Sequence, residues 1–184
     1  MRLLMHVCCA PDATVALERL PRSERLLFWF ANPNIQPRDE YERRAEAFLQ
    51  LMKKVSVEFA VCDDRQNEWM NQVRGLENEP EGGRRCEVCI AFRLKMSAEK
   101  AIAAGFDTFG TVLTTSPRKN ADLVNSIGAR VAQEHHLEYY PTNFKKKDGF
   151  KRSVEISRAM GLYRQNYCGC LFSIRNPRID VSVA

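Results

Sequence analysis

The 184-residue chain has no apolar run near the roughly 20 residues that cross a bilayer, so a transmembrane helix is excluded. Its first strand-like stretch, Arg2 to Val7, is too short for a secretory apolar region and leads straight into Cys8-Cys9, so a cytosolic location is expected. Neither Gly-x-x-x-x-Gly-Lys nor Gly-x-Gly-x-x-Gly occurs, which excludes those two phosphate loops. Histidine is scarce: His6 reads as an interior strand residue, His135-His136 as the end of a helix, and no Ser–His–Asp set is arguable. Disorder is excluded too, because 45% of the residues are hydrophobic and only 28% charged. Twenty-eight lysines and arginines against 23 acids leave a charge of +5, which permits a phosphate-bearing partner without requiring one.

What the chain does have is alternation. Leu3–Val7, Leu26–Ala31, Val57–Val61 and Phe109–Leu113 read as buried strands, and Leu137–Tyr140 as a weaker one. Between them Tyr41, Ala45, Phe48, Leu49 and Met52 fall on one face of a helix whose start is marked by Pro37, Asp39 and Glu40. Ser116-Pro117 reads as the start of another helix, continued by Val124, Ile127, Gly128 and Val131. This order predicts an α/β fold: one domain over 1–184, a three-layer Rossmann-like sandwich on a mainly parallel sheet. The segment Glu77 to Gly83 is the most loop-like. In such sheets chemistry gathers beyond the carboxyl ends of the strands, where Cys8-Cys9 and Asn32-Pro33-Asn34 fall.

Seven cysteines without an export signal are the loudest feature. Six form short pairs, Cys8-Cys9, Cys86-x-x-Cys89 and Cys168-Gly169-Cys170, while Cys62 stands alone and reads as packing. Three pairs in so short a chain point to a soft-metal site. Pro11 suits a first helical turn, so Cys8 and Cys9 precede a positive helix end that is expected to lower thiol pKa. Cys86 and Cys89 are one helical turn apart, and Gly169 lets the backbone curl close to a cluster. Six thiolates exceed what one tetrahedral metal or one four-cysteine cluster takes, so two are left for redox work or a second metal. Asp12, on the first turn after Cys9, is either an oxygen ligand to that second metal or a helix-start carboxylate favoured by the dipole. A structural zinc site is the plain alternative for the whole set.

Lys145, Lys146, Lys147, Lys151 and Arg152 put five cations within eight residues, after a strand and before a helix expected at Ser153. A solvated face is the default for such a run; phosphate binding is the sharper reading. Tyr163 to Tyr167 supplies aromatic and planar polar groups beside Cys168.

Seven strings then occur in one order: His6-Val7-Cys8-Cys9-Ala10-Pro11, Asn32-Pro33-Asn34-Ile35, Gly75-Leu76-Glu77 through Gly83, Arg85-Cys86-Glu87-Val88-Cys89, Ser116 to Asn120, Phe144 to Lys147, and Tyr163 to Cys170. Together they resemble the QueH family of epoxyqueuosine reductases, over nearly the whole chain. The resemblance implies an adenine nucleotide α-hydrolase-like fold and an oxidoreductase that reduces epoxyqueuosine to queuosine at the tRNA wobble position, the last step of queuosine synthesis. It implies an iron–sulfur cluster and no cobalamin. Many members carry Cys-Cys-Ala-Pro-Cys where this chain ends in Asp12, an exchange that removes a thiol and keeps an anionic ligand.

The expectation that follows is a [4Fe–4S] cluster on four of Cys8, Cys9, Cys86, Cys89, Cys168 and Cys170. The other two, with Asp12, hold a second mononuclear metal, expected to be iron, as a Lewis acid on the epoxide oxygen. Tyr163, Tyr167 or a bound water supplies the proton. The tRNA is expected on Lys145, Lys146, Lys147, Lys151 and Arg152, supported by Arg84, Arg85, Arg118 and Lys119. An unidentified electron donor is required, and the sequence leaves the oligomeric state open. The rivals are a zinc-stabilised tRNA- or nucleotide-binding module without redox activity, and a persulfide sulfur transferase.

Overall fold

The apolar stretches pair into a five-stranded, all-parallel sheet in the computed structural model, which describes residues 1–62 and 65–174. The strands are β1 (Arg2–Val7), β2 (Arg25–Phe30), β3 (Glu58–Val61), β4 (Thr108–Thr111) and β5 (Glu138–Tyr139), in the order β3-β2-β1-β4-β5. Central β1 is buried from Leu3 to Val7, as a parallel strand covered on both faces must be, and this explains why its apolar residues do not alternate with exposed polar ones; His6 among them is buried too. Edge strand β3 leaves Phe59 and Val61 exposed instead.

The helices are α1 (Ala10–Arg19), α2 (Arg38–Met52), α3 (Gln66–Gln72), α4 (Arg84–Ala103), α5 (Ala121–His135), α6 (Gly149–Ala159) and the short α7 (Leu171–Ile174). Leu3, Met5, Val7, Phe28 and Phe30 pack with Ala13, Phe48 and Leu51 on one face of the sheet. Leu4, Trp29 and Phe109 pack with Leu94, Ile127 and Val131 on the other. Each large side chain so buried contributes about 1.5–3 kcal/mol, and the two cores give the expected three layers. Among the described residues no helix is long and apolar enough to cross a membrane.

Three element boundaries differ from the sequence expectation. β4 stops at Thr111, whose hydroxyl oxygen accepts from the Leu113 N–H and opens a 3-10 turn over Val112–Thr115. α5 begins at Ala121, not at Ser116-Pro117: the Asn120 side-chain oxygen Oδ1 accepts from the N–H groups of Asp122 and Leu123, whereas the Ser116 hydroxyl closes a turn by accepting from the Arg118 N–H. α6 begins at Gly149, one turn before Ser153. The chain enters it through left-handed Lys147 and Asp148 and passes so close to the Phe144 carbonyl that a Cβ on Gly149 would lie 1.7 Å from its oxygen.

The strand order reverses at β1, since β2 lies on one side and β4 on the other. That switch point opens the crevice in which α/β sheets bind ligands. Cys8 follows β1 there, and the turn after β4 reaches across it, the Thr115 hydroxyl donating to the Asp12 carbonyl at 3.1 Å.

Candidate metal centre

Cys9 is the N-cap of α1, with Pro11 in the first turn and Asp12 one residue on. The sulfurs of Cys8 and Cys9 and an Asp12 carboxylate oxygen lie within 4.8 Å of one another. The Cys8 S–H donates to Asp12 Oδ2 at 3.3 Å, and the two sulfurs are 3.9 Å apart. Cys9 and Asp12 are buried and Cys8 is half-buried.

The expected fall in thiol pKa is not found at Cys8. Its hydrogen bond with Cys9, burial, and the negative charges available at Cys9 and Asp12 push the Cys8 thiol well up, against which the Arg93 charge pulls it down. Burial likewise raises Asp12, although hydrogen bonds from Cys8 and Cys9 and the charges of Arg164 and Arg44 oppose the rise. The Cys9 hydrogen bond and burial thus favour the protonated form of Cys8, burial favours that of Asp12, and a metal cation would relieve this by displacing their protons.

The other four paired cysteines gather elsewhere. Cys86 and Cys89 lie a turn apart near the start of α4, and with Cys168 and Cys170 they line one cleft. The Gly82 N–H donates to Cys86 Sγ and the Lys119 ammonium to Cys168 Sγ, each at 3.2 Å. Burial raises Cys86 and pushes Cys89 up to about 11, while the Trp69 indole N–H faces Cys89 and favours its thiolate. The Cys168 sulfur holds Lys119 above the ordinary lysine range. Asn34 Oδ1, Arg85 Nε and Arg93 Nε, all on residues lining this cleft, are buried without a hydrogen-bond partner. Four thiols framed by donors and cations suit an anionic thiolate-bound cluster. The sequence left the six thiols undivided; the fold separates them into two with Asp12 and four around a cleft.

A strap holds the second set. The Arg44 guanidinium, buried in α2, donates to the carbonyls of Cys168 at 3.0 Å and Tyr167 at 3.1 Å and to Glu40 Oε1 at 2.6 Å. Gly169, at φ +141°, lets its own carbonyl accept from the Gln36 N–H, and a Cβ there would lie 2.9 Å from Asn34 Nδ2. Glu40 and Arg44 are site-building residues the sequence reading missed, though their i,i+4 spacing was a usable signal. Arg93 was missed as well, although it lies one helical turn beyond Cys89.

Other expected site residues are placed differently. The Tyr163 hydroxyl donates to Glu40 Oε2 at 2.8 Å and that of Tyr167 to the Gln36 carbonyl at 2.5 Å, so both hydroxyl protons are engaged in bracing the strap. Arg85 is buried, its guanidinium donating to the carbonyls of Leu76, Glu77 and Glu79, and it is withdrawn from phosphate contact. Arg152 pairs with Glu18 and Glu155, and Lys145 turns inward to the Lys119 carbonyl. Arg84, Arg118, Lys146, Lys147 and Lys151 are exposed. His6 is interior as expected: Nε2 donates to the Ala31 carbonyl, leaving Nδ1 to accept from the Thr111 hydroxyl.

Residues 3–176 match the family model for epoxyqueuosine reductase QueH. The protein of that name from Streptococcus pyogenes serotype M1 is 44% identical over 185 residues, covering 97% of this chain and 72% of its own length. Its Staphylococcus epidermidis counterpart is 38% identical, covering 97% of this chain and 79% of that protein. The Thermotoga maritima counterpart is 37% identical over 181 residues, 96% of this chain and 92% of that protein. Among solved structures, the U34-tRNA thiolase NcsA from Methanococcus maripaludis with its [4Fe-4S] cluster aligns with a TM-score of 0.58 at 12% identity. The alignment covers 94% of this chain and 61% of that one, and it establishes the shared fold.

Proposed function

Since this chain belongs to the epoxyqueuosine reductase QueH family, we propose that it reduces epoxyqueuosine to queuosine in tRNA. The observation that carries the reading is the division of six thiols into two sets at one sheet edge. Cys86, Cys89, Cys168 and Cys170 would hold a [4Fe–4S] cluster, and Cys8, Cys9 and Asp12 a second metal ion, iron by expectation. When bound, these groups supply electron relay and Lewis acidity toward the epoxide oxygen.

The reaction removes that oxygen: two electrons from an external reductant and two protons convert the epoxide to a cyclopentene double bond and water. The chain's own residues prepare for it. Arg44 and Glu40 hold the Cys168–Cys170 loop in register, and the Lys119 ammonium sets its positive charge against Cys168 Sγ. Burial of Cys9 and Asp12 keeps bulk water from that set. Exposed Arg84, Arg118, Lys146, Lys147 and Lys151 would contact tRNA phosphates and leave selectivity to the pocket. On this reading the chain works in the cytoplasm with its tRNA. Family membership does not favour the zinc-stabilised binding module.

The test is anaerobic reconstitution followed by single turnover on epoxyqueuosine-bearing tRNA with a chemical reductant, reading queuosine by mass spectrometry. Broad visible absorption and queuosine formation are expected. A colourless, zinc-only protein that leaves the epoxide intact would overturn the reading.

A further inference from the structure

Arg93 is a buried guanidinium with no carboxylate partner among the described residues. It is 3% exposed, and no ion pair to it occurs among the described residues. Nη2 donates to Asn32 Oδ1 at 2.5 Å, and Nε has no partner. Asn32 is fixed in turn by donating through Nδ2 to the Val7 carbonyl at 2.9 Å, at the end of β1 and one residue before Cys8. The guanidinium therefore reaches from the four-thiol cleft, which it lines, toward the strand end that carries the other thiol set.

A buried cation is costly unless negative charge compensates it. Among the described residues no carboxylate does so, but the guanidinium lines the four-thiol cleft, and its charge favours the thiolate at both Cys8 and Cys89. Asn32 is neutral, so it orients the guanidinium without cancelling its field. An aspartate there would pair with the arginine and mask it.

We propose that Arg93 is a positioning residue that supplies the fixed positive charge setting how readily a cluster on Cys86, Cys89, Cys168 and Cys170 accepts an electron, with Asn32 holding that charge in place. The inference rests on the cluster reading above. A fixed cation in a weakly screened interior stabilises the reduced, more negative cluster. Lys119 acts on the same set from the opposite chain segment, against Cys168.

The test is a spectroscopically monitored redox titration of anaerobically loaded wild type, Arg93→Gln, Arg93→Lys and Asn32→Asp. At a fixed potential the ratio of reduced to oxidised cluster should fall about tenfold in Arg93→Gln, equivalent to about 59 mV for a one-electron couple. Arg93→Lys should recover most of that loss, because the charge returns. If Arg93→Gln does not fold, Asn32→Asp decides, since it keeps the guanidinium and masks its field, and the ratio should fall in the same direction. An unchanged ratio in Arg93→Gln, or in Asn32→Asp where the first does not fold, would overturn the role. A wild-type chain with iron bound but no cluster signal would instead remove the cluster reading, and this inference with it.

Discussion

Cys8, Cys9 and Asp12 gain their chemistry from crowding. Cys8 and Asp12 must be anionic to bind a metal, yet the Cys9 hydrogen bond and burial favour protonated Cys8 and burial favours protonated Asp12, so metal loading should release protons and weaken as pH falls. The helix end alone suggested a thiolate at Cys8; its hydrogen bond with Cys9 and its burial outweigh it, and neither is visible in a linear sequence. The tyrosines illustrate the same limit. Tyr163 and Tyr167 lie beside Cys168 in sequence, but their hydroxyls serve Glu40 and Gln36. Tyr163→Phe and Tyr167→Phe should therefore each lower single-turnover rate less than tenfold, whereas loss of a general acid costs about 10²–10⁴-fold. Rapid-quench kinetics on the two variants checks this, and a thousandfold loss in either would return that tyrosine to the proton path. Cys62→Ala should keep full iron content, because that thiol packs at the end of β3 beside the second core.

Element by element, the fold was legible where burial is continuous. The apolar runs of β1 and β2 were plain, and Pro37 with two acids marked the start of α2. The starts of α5 and α6 were not, because Asn120 capping and the close approach of Gly149 to Phe144 are decided by tertiary neighbours. The strap on α2 combines both cases: its helix was foreseen, its inward-facing Arg44 was not. Arg44→Met should destabilise the chain by about 1–3 kcal/mol, since buried Glu40 Oε1 loses its partner while Oε2 keeps Tyr163 and Arg43, and should lower cluster occupancy. Replacing Glu40 by Leu as well should recover stability in urea melts but not iron content, because the Cys168 and Tyr167 carbonyls stay unheld. A different clasp joins β1 to β4, where the Thr108 hydroxyl, the Arg2 N–H and the Arg2 guanidinium hold the Asp107 carboxyl down to about 2. A depressed carboxyl stabilises the fold above its unfolded value of 3.8 and loses that contribution as pH falls through about 2. The effect is small because the pair is exposed. Stability measured between those limits should therefore fall less steeply in Asp107→Asn than in wild type.

For the whole molecule, six thiols gather in two sets, and Lys147 and Lys151 sit beside Glu18 and Arg19, at the other end of α1 from Cys9 and Asp12. The lysine run divides on folding: Lys145 faces inward and Arg152 is paired, leaving Lys146, Lys147 and Lys151 outward. Neutralising those three together should weaken tRNA binding and reduce its salt slope by about two to three. Filter binding across salt concentrations measures this, and an unchanged slope would move the tRNA to another face. The six paired cysteines announced a metal protein in the sequence, but their division was not legible, because Cys168 and Cys170 lie about 80 residues from the Cys86 pair they join. That division is tested most directly by Mössbauer spectroscopy of the anaerobically iron-loaded chain, comparing wild type with Asp12→Ala. Wild type should give a four-iron cluster signal and a separate mononuclear iron signal, and Asp12→Ala should lose the mononuclear signal and retain the cluster. Loss of the cluster in Asp12→Ala, or a wild-type spectrum without mononuclear iron, would contradict the two-set centre.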